Sequence, residues 1–174
     1  MSHGPRVVIL TLALLVAAAA SAQERQHAPD ALEKRVHGAL RAAHIANADQ
    51  IRVEARDGAL QLSGFVESEE DLESALKIAR NVRGVSTVRN DLLVRETPRT
   101  VGQAVDDTVI AARVRKEIRS TVADRASDIH VAVSDGVVQL SGYAESAEVK
   151  NRAADVASAV AGVQDVRNHI ALRQ

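Results

Sequence analysis

The sequence contains no cysteine and no tryptophan, and only one tyrosine and one phenylalanine among its 174 residues. The absence of cysteine excludes disulfide cross-links, thiolate metal ligands and a lipid attached through an N-terminal cysteine. Lysine and arginine total 22, against 23 aspartate and glutamate residues. This nearly neutral balance argues against a dedicated nucleic-acid-binding protein, which carries a basic patch or stripe.

The chain also lacks a hydrophobic run long enough to span a bilayer with ease. Arg6 precedes a largely apolar run of 14 residues, VVILTLALLVAAAA, and then Ala-Ser-Ala. A membrane-spanning helix needs about 20 apolar residues, whereas a basic start, a short apolar run and a small-x-small site are typical of a signal peptide. We therefore expect residues 1–22 to be cleaved between Ala22 and Gln23, leaving a protein in an extracytoplasmic compartment without a stable membrane anchor. The alternative is an uncleaved anchor.

An internal repeat is the most prominent positive feature. Residues 51–95 align without a gap with residues 129–173 at a constant offset of 78, with 20 identities over 45 positions. A fixed internal offset indicates one structural unit present twice.

Each repeat predicts the element order α-β-β-α-β. Apolar residues recur at helical spacing before the aligned segment, and alternating strands then flank Asp57-Gly58 and Asp135-Gly136. Asp-Gly between alternating strands is a strong hairpin signal, because both central residues of a type I′ turn need positive φ. Ser68 and Ser146 are candidate N-caps of a second helix, and a last strand closes each unit.

These elements predict an α+β fold of two tandem αββαβ two-layer sandwich domains after the signal peptide. We expect the first domain at residues 30–95, a linker at 96–107 and the second domain at 108–174. In each domain, two helices should cover one face of a three-stranded sheet. The other face should be polar and open, with Arg52, Glu54, Gln61, Arg89 and Asp91 in the first domain.

The repeated strings resemble the BON-domain family. The resemblance lies in two sets of equivalent residues. The first repeat has DGALQLSG at 57–64 with Gly84, Val85, Val88 and Asn90, and the second has DGVVQLSG at 135–142 with Gly162, Val163, Val166 and Asn168. A signal peptide followed by two such domains is similar to the periplasmic dual-BON proteins of Gram-negative bacteria. Related lipoproteins carry an acylated cysteine, which this chain lacks.

The resemblance implies a non-enzymatic role in envelope integrity or osmotic stress, with binding to phospholipid surfaces or envelope components. The alternative is a holdase-type chaperone for outer-membrane or secreted client proteins. Anionic phospholipid surfaces or envelope proteins are thus the expected partners, and nucleic acid is not. The oligomeric state stays open.

The glycines and histidines predict no catalytic, cofactor or metal site. No phosphate-binding glycine motif occurs, and the repeated glycines suit turns, strand bends and helix ends. His37 and His44 are seven residues apart, about 10 Å along a helix, which is too far to share a metal. His130 and His169 should lie on the polar sheet face, where they could approach each other.

Two sets of residues are candidates for contacts. Arg113, Arg115, Lys116 and Arg119 lie within two turns of one predicted helix and are candidate contacts for anionic lipid headgroups. The alternative is an ordinary solvated helix face. Phe65 and Tyr143 occupy equivalent repeat positions and should point away from the helices. We expect at least one ring to contact the other domain or a partner. The alternative is that a bend at Gly64 and Gly142 turns both rings against their own domain.

Overall fold

The structure, a computed structural model, describes residues 31–56, 58–95, 100–122 and 128–173. The predicted signal peptide, its cleavage site and Asp57 lie outside the described residues. Within the described ranges the chain forms two α+β units, each with two helices and one sheet, as the repeat predicts. The first unit consists of α1 (31–42), a 3-10 turn (Ala48–Gln50), β1 (Arg52–Arg56), β2 (Ala59–Val66), α2 (Glu69–Asn81) and β3 (Thr87–Val94).

The second unit repeats this order with one difference at its end. Its elements are α3 (Val101–Val122), β4 (Ile129–Ser134), β5 (Val137–Ala144), α4 (Ala147–Ser158), β6 (Asp165–Asn168) and β7 (Ala171–Leu172). The single closing strand that the sequence predicts is therefore divided between β6 and β7. At the break, the side-chain oxygen of Asn168 accepts a hydrogen bond from the Ile170 amide, 3.3 Å away.

The second strand of each repeat lies at the centre of its sheet. β1 pairs antiparallel with β2, and β2 pairs parallel with β3, so that Leu62 lies opposite both Val53 and Asn90. In the second domain β4 and β6 flank β5 in the same way, and β7 continues the pairing along β5. The parallel pair requires a crossover, which α2 and α4 provide.

The local signals read from the sequence form as predicted. Asp135 and Gly136 have φ of 52° and 75°, both positive as a type I′ turn requires. The hydroxyl of Ser68 accepts the Asp71 amide proton at 3.1 Å, and that of Ser146 accepts from Val149 at 3.3 Å. Each cap satisfies an amide that its helix leaves unpaired, a contribution of about 1 kcal/mol.

Each domain has its own hydrophobic core between its helices and its sheet. In the first, Val36 and Leu40 of α1 pack with Leu62 of β2, and all three are fully buried. In the second, Val114 of α3 and Leu140 of β5 occupy the corresponding places. Burying side chains of this size contributes about 1.5–3 kcal/mol each, so each core stabilises its own domain.

α3 begins at Val101, inside the segment 96–107 that the sequence predicts as a linker between the domains. Thr100 and Gln103 explain the early start, since they form a reciprocal capping box. The Thr100 hydroxyl accepts from the Gln103 amide at 3.3 Å, and the Gln103 side chain accepts from the Thr100 amide at 2.9 Å. Residues 101–107 are therefore helical rather than extended.

The expectation of an open polar sheet face is also wrong. The first domain buries Gln61, Ser63 and Asp91 on that face, and the second buries Gln139 and Ser141. The two polar faces pack against each other, so the molecule has four layers with helices outside and the two sheets inside. Strand alternation identifies which face is polar, but it does not show whether another domain covers that face.

Candidate functional site

The centre of the contact between the domains is a pair of equivalent serines. The hydroxyl of Ser63 donates to the hydroxyl of Ser141 at 2.9 Å, and both residues are buried. The two residues are 78 positions apart, which is the repeat offset. An interface in which a residue meets its own equivalent has approximate twofold symmetry, like the interface of a symmetric dimer.

The glutamines two residues earlier follow the same symmetry. Gln61 Nε2 donates to the Asp91 carboxylate of its own domain at 2.7 Å and to the His169 carbonyl of the other at 3.0 Å. Gln139 Nε2 contacts His169 Nδ1 of its own domain at 3.0 Å and also donates to the Asp91 carbonyl across the interface. Gln139 additionally accepts the Gly64 amide proton at 2.5 Å. These bonds satisfy the side-chain nitrogens of both glutamines, whereas Gln61 Oε1 is buried without a hydrogen-bond partner among the described residues.

Charged side chains surround this neutral centre. His130 Nε2 lies 2.7 Å from the Glu54 carboxylate of the other domain, and Nη2 of Arg52 lies 3.0 Å from the same ring nitrogen. Arg52 and His130 are again equivalent positions. On the other side, Asp91 is 3.8 Å from His169 Nδ1. The two histidines that the sequence places on this face each lie near a carboxylate of the first domain, His130 near Glu54 and His169 near Asp91.

The two aromatic residues lie on the sheet face that alternation predicts. The guanidinium carbon of Arg56, from the first domain, is 4.4 Å from the centroid of the Tyr143 ring. Such a cation–π contact contributes about 0.5–1 kcal/mol at an exposed site. Phe65 is buried but lies outside its own domain's core cluster, beside Val131, Ala132 and Val133 of β4. A contact with an outside partner stays a prediction for both rings.

A cavity of about 790 Å³ opens between the domains next to the serine pair. We call it the interdomain cavity; its polar lining includes His37, Arg52, Ser63, Arg115, Arg119 and His130. Among the described residues, the carboxylate that lines it is Asp49, which pairs with Arg41 at 2.5 Å. The charged part of its lining is therefore predominantly basic.

His37, at the edge of this cavity, has a pKa below the ordinary histidine value. Burial is the largest cause, and the neighbouring guanidinium groups of Arg41 and Arg52 lower the pKa further, against a smaller opposing effect of Asp49. Its Nδ1 atom is buried and has no hydrogen-bond partner among the described residues. His37 is thus a neutral imidazole with an unused nitrogen at neutral pH.

The structure divides the four basic residues that the sequence groups on α3. All four are exposed, but Arg115 and Arg119 line the interdomain cavity, whereas Arg113 lines a different depression beside Gly136. Arg115 also donates to the Val131 carbonyl at 2.9 Å. A role of these residues in lipid contact stays a prediction, and the four side chains do not share one surface.

Sequence reasoning missed an apolar stripe at the start of α3. Val101, Val105 and Val109 are 85%, 59% and 43% exposed, and their spacing of four places them on one helix face. Lys116 lies two turns further along that face, and Arg113 flanks it. We call these five residues the outer face of α3. The signal was the Val-x-x-x-Val-x-x-x-Val spacing, which the linker assignment obscured.

The described ranges contain neither a metal-binding cluster nor a membrane-spanning helix. There, no three His, Asp or Glu side chains cluster closely enough to hold a metal ion. No helix among these residues combines the length and the apolar character needed to cross a bilayer. The chemistry that the described residues offer is that of hydrogen bonding and positive charge.

The geometry defines a tandem α+β protein whose two equivalent domains pack through their sheets. The BON domain family model matches residues 29–96 and 106–174. The chain belongs to the BON domain family, which the repeated motifs predict.

Individual relatives agree with this assignment. The chain is 33% identical to Osmotically-inducible protein Y of Escherichia coli strain K12 over 141 residues, 80% of this chain and 70% of the relative. It is 28% identical to the outer membrane lipoprotein DolP of Haemophilus influenzae, over 79% of this chain and 70% of the relative.

A solved structure gives a weaker match. The C-terminal domain of CdsD, a structural protein of the type III secretion system of Chlamydia trachomatis, is 17% identical. The match covers 83% of this chain and 67% of that one, with a TM-score of 0.34. A score this low supports no argument about function.

Proposed function

We propose that this protein is a non-enzymatic periplasmic protein of the bacterial envelope, related to osmotic stress, that binds anionic phospholipid surfaces through the outer face of α3. Family membership and the names of the two relatives, one osmotically inducible and one an outer membrane lipoprotein, support the envelope assignment. The apolar stripe lies next to basic residues, and this arrangement supports an anionic phospholipid surface as the ligand.

The single observation that carries the proposal is the composition of the outer face of α3. Three exposed valines offer apolar contact area, and Arg113 and Lys116 add positive charge at the end of the stripe. A helix with an apolar side and basic residues lies in the plane of a membrane interface. Each basic residue near an anionic surface contributes about 1 kcal/mol, so binding should be weak and sensitive to salt.

The serine hydroxyl groups at the interface between the domains form a hydrogen bond with each other, which supports a non-enzymatic role. Ser63 and Ser141 line the interdomain cavity and bond to each other rather than to a base. A nucleophilic serine requires a general base within hydrogen-bond reach. These two serines therefore have a structural role.

The test is flotation of the purified protein with vesicles. We expect binding to vesicles rich in phosphatidylglycerol, little binding to phosphatidylcholine vesicles, and release as sodium chloride rises towards 0.5 M. Arg113→Glu with Lys116→Glu should reduce binding at least about tenfold, because two attractions of about 1 kcal/mol each become repulsions. Val105→Asp should weaken binding by removing apolar contact from the same face.

The matched control is Lys77→Glu with Arg80→Glu, which makes the same charge change at the same spacing on the exposed side of α2. This variant should bind nearly as well as wild type. Equal losses in both double variants would mean that net charge, not this face, governs binding. If wild type binds no vesicles at low salt but suppresses aggregation of an unfolded envelope protein, the lipid proposal is wrong and the chaperone alternative leads.

A further inference from the structure

The interdomain cavity has the size and the position of a ligand site. Its volume of about 790 Å³ falls within the range of about 300–1,000 Å³ that small-molecule sites occupy. Such sites also occur preferentially at domain interfaces. Both domains contribute walls: the 3-10 turn, β1, part of β2 and His37 of α1 from the first, and β4, Ser141 of β5 and the second half of α3 from the other.

The electrostatic character of the cavity favours an anion. Three guanidinium groups, of Arg52, Arg115 and Arg119, line it, together with two imidazoles. The nearby carboxylates already have partners: Asp49 pairs with Arg41, and Glu54, beside the cavity, lies 2.7 Å from His130 Nε2 and 3.7 Å from Arg52 Nε. Positive charge therefore exceeds negative charge around the cavity before either histidine takes a proton.

Several donors in the cavity are not fully used. Arg119 has no hydrogen bond or ion pair to any described residue, and Arg115 uses one nitrogen for the Val131 carbonyl. His37 presents an unpartnered Nδ1. A planar guanidinium matches the oxygens of a carboxylate or phosphate group, which it binds through paired hydrogen bonds.

We propose that the interdomain cavity binds a phosphate group, held by Arg119 and Arg52 beside His37. The group is either free phosphate, including a small phosphate ester, or the headgroup of a phospholipid. The site is separate from the outer face of α3, because Arg113 does not line the cavity and the valine stripe lies away from it. It requires both domains, so a ligand would stabilise their contact.

The test uses inorganic phosphate and glycerol 3-phosphate as probes of the purified protein at constant ionic strength, set with sodium chloride. We expect calorimetric binding and amide NMR shifts at Gly64, His130 and Ser141. Arg119→Gln should weaken binding about tenfold, the loss of one charge-assisted interaction, without changing the fold because Arg119 is exposed. Arg52→Gln, from the other domain, should weaken it similarly.

Lys77→Gln is the matched control, because it removes an exposed charge from α2, outside both the cavity and the outer face of α3, and should leave phosphate binding unchanged. Phosphatidylglycerol vesicles distinguish the two sources of the group. If the ligand is a headgroup, Arg119→Gln weakens the vesicle binding that the outer face of α3 still supports, and free phosphate competes with vesicles; if it is a free phosphate, Arg119→Gln leaves vesicle binding unchanged. The absence of shifts at millimolar probe, or equal weakening by Arg119→Gln and Lys77→Gln, refutes the site.

Discussion

Ser63 and Ser141 donate and accept one hydrogen bond across 2.9 Å, and each is the repeat equivalent of the other. A bond between equivalent residues places the approximate twofold axis between the two hydroxyl groups. The two domains of one chain thus meet as two copies of a symmetric dimer would. Because both hydroxyls are buried, each depends on the other for its hydrogen bond.

This dependence predicts a specific double-mutant cycle. Ser63→Ala alone should lower the free energy of unfolding by about 1–3 kcal/mol, since it leaves the buried Ser141 hydroxyl unpaired. Ser141→Ala alone should do the same. The double variant should cost less than the sum of the two, because neither unpaired hydroxyl remains. Urea unfolding of the four proteins measures the coupling, and strictly additive losses would contradict the role of this bond.

Gln139 should contribute more to the free energy of unfolding than either serine does. Gln139→Leu keeps similar volume but leaves the Gly64 amide and the Asp91 carbonyl without their partner across the interface. We expect a loss of about 2–4 kcal/mol, since each buried unpaired group costs about 1–3 kcal/mol. The two domains should then unfold in separate steps, observed as two calorimetric transitions. Lys77→Leu on α2 is a surface control, and a single unshifted transition in Gln139→Leu would contradict this prediction.

The helices and strands could be predicted from the sequence because the turn and cap residues that define them are their neighbours in sequence. Asp135 and Gly136 need the left-handed backbone that the hairpin provides, and Ser68 and Ser146 cap the helices that they precede. Such features depend on neighbours in sequence, so they can be read without a structure. The start of α3 was readable in the same way from the Thr100 and Gln103 capping box, but Gly102 within it suggested a linker.

The contact between the domains could not be predicted from the alternation of polar and apolar residues along the strands alone. Alternation places Gln61 and Ser63 on the polar face, but burial of that face depends on a surface distant in sequence. One signal was present: this face carries uncharged Gln and Ser at the same central positions in both repeats, with charges only towards its edges. Small neutral polar groups can exchange hydrogen bonds between buried faces at lower cost than charges can.

Gly64 should not tolerate a side chain. Its φ is 113°, and an added Cβ would lie 2.6 Å from the Gln50 carbonyl oxygen. Gly64→Ala should therefore destabilise the protein by at least about 1–3 kcal/mol from backbone strain alone. Gly38→Ala, in the open middle of α1 with no atom within 4 Å of the new Cβ, should instead stabilise by about 0.5–1 kcal/mol. Thermal unfolding of both variants tests the contrast, and equal effects would contradict it.

The lowered pKa of His37 predicts that the stability of the folded protein depends on pH. The groups around it are Arg41, Asp49 and Arg52 of its own domain and Arg115, Arg119 and His130 across the interdomain cavity. Burial, then the arginines, lowers the pKa of His37 in the folded protein, whereas the unfolded chain has the ordinary value of about 6.5. Above that value the ring is neutral in both states and contributes nothing to the pH dependence.

As the pH falls through about 6.5, the unfolded chain takes up a proton that folded His37 resists, so this residue destabilises the folded state increasingly until its lowered pKa is passed. His37→Gln, which cannot be protonated, should therefore gain stability relative to wild type below pH 6.5 and show a constant difference above pH 7.5. His44→Asn, exposed and in a left-handed conformation that asparagine accepts, is the control for loss of a histidine. Urea unfolding of the three proteins from pH 5 to 8 measures the difference, and parallel curves for wild type and His37→Gln would show that burial of this ring does not govern the acid response.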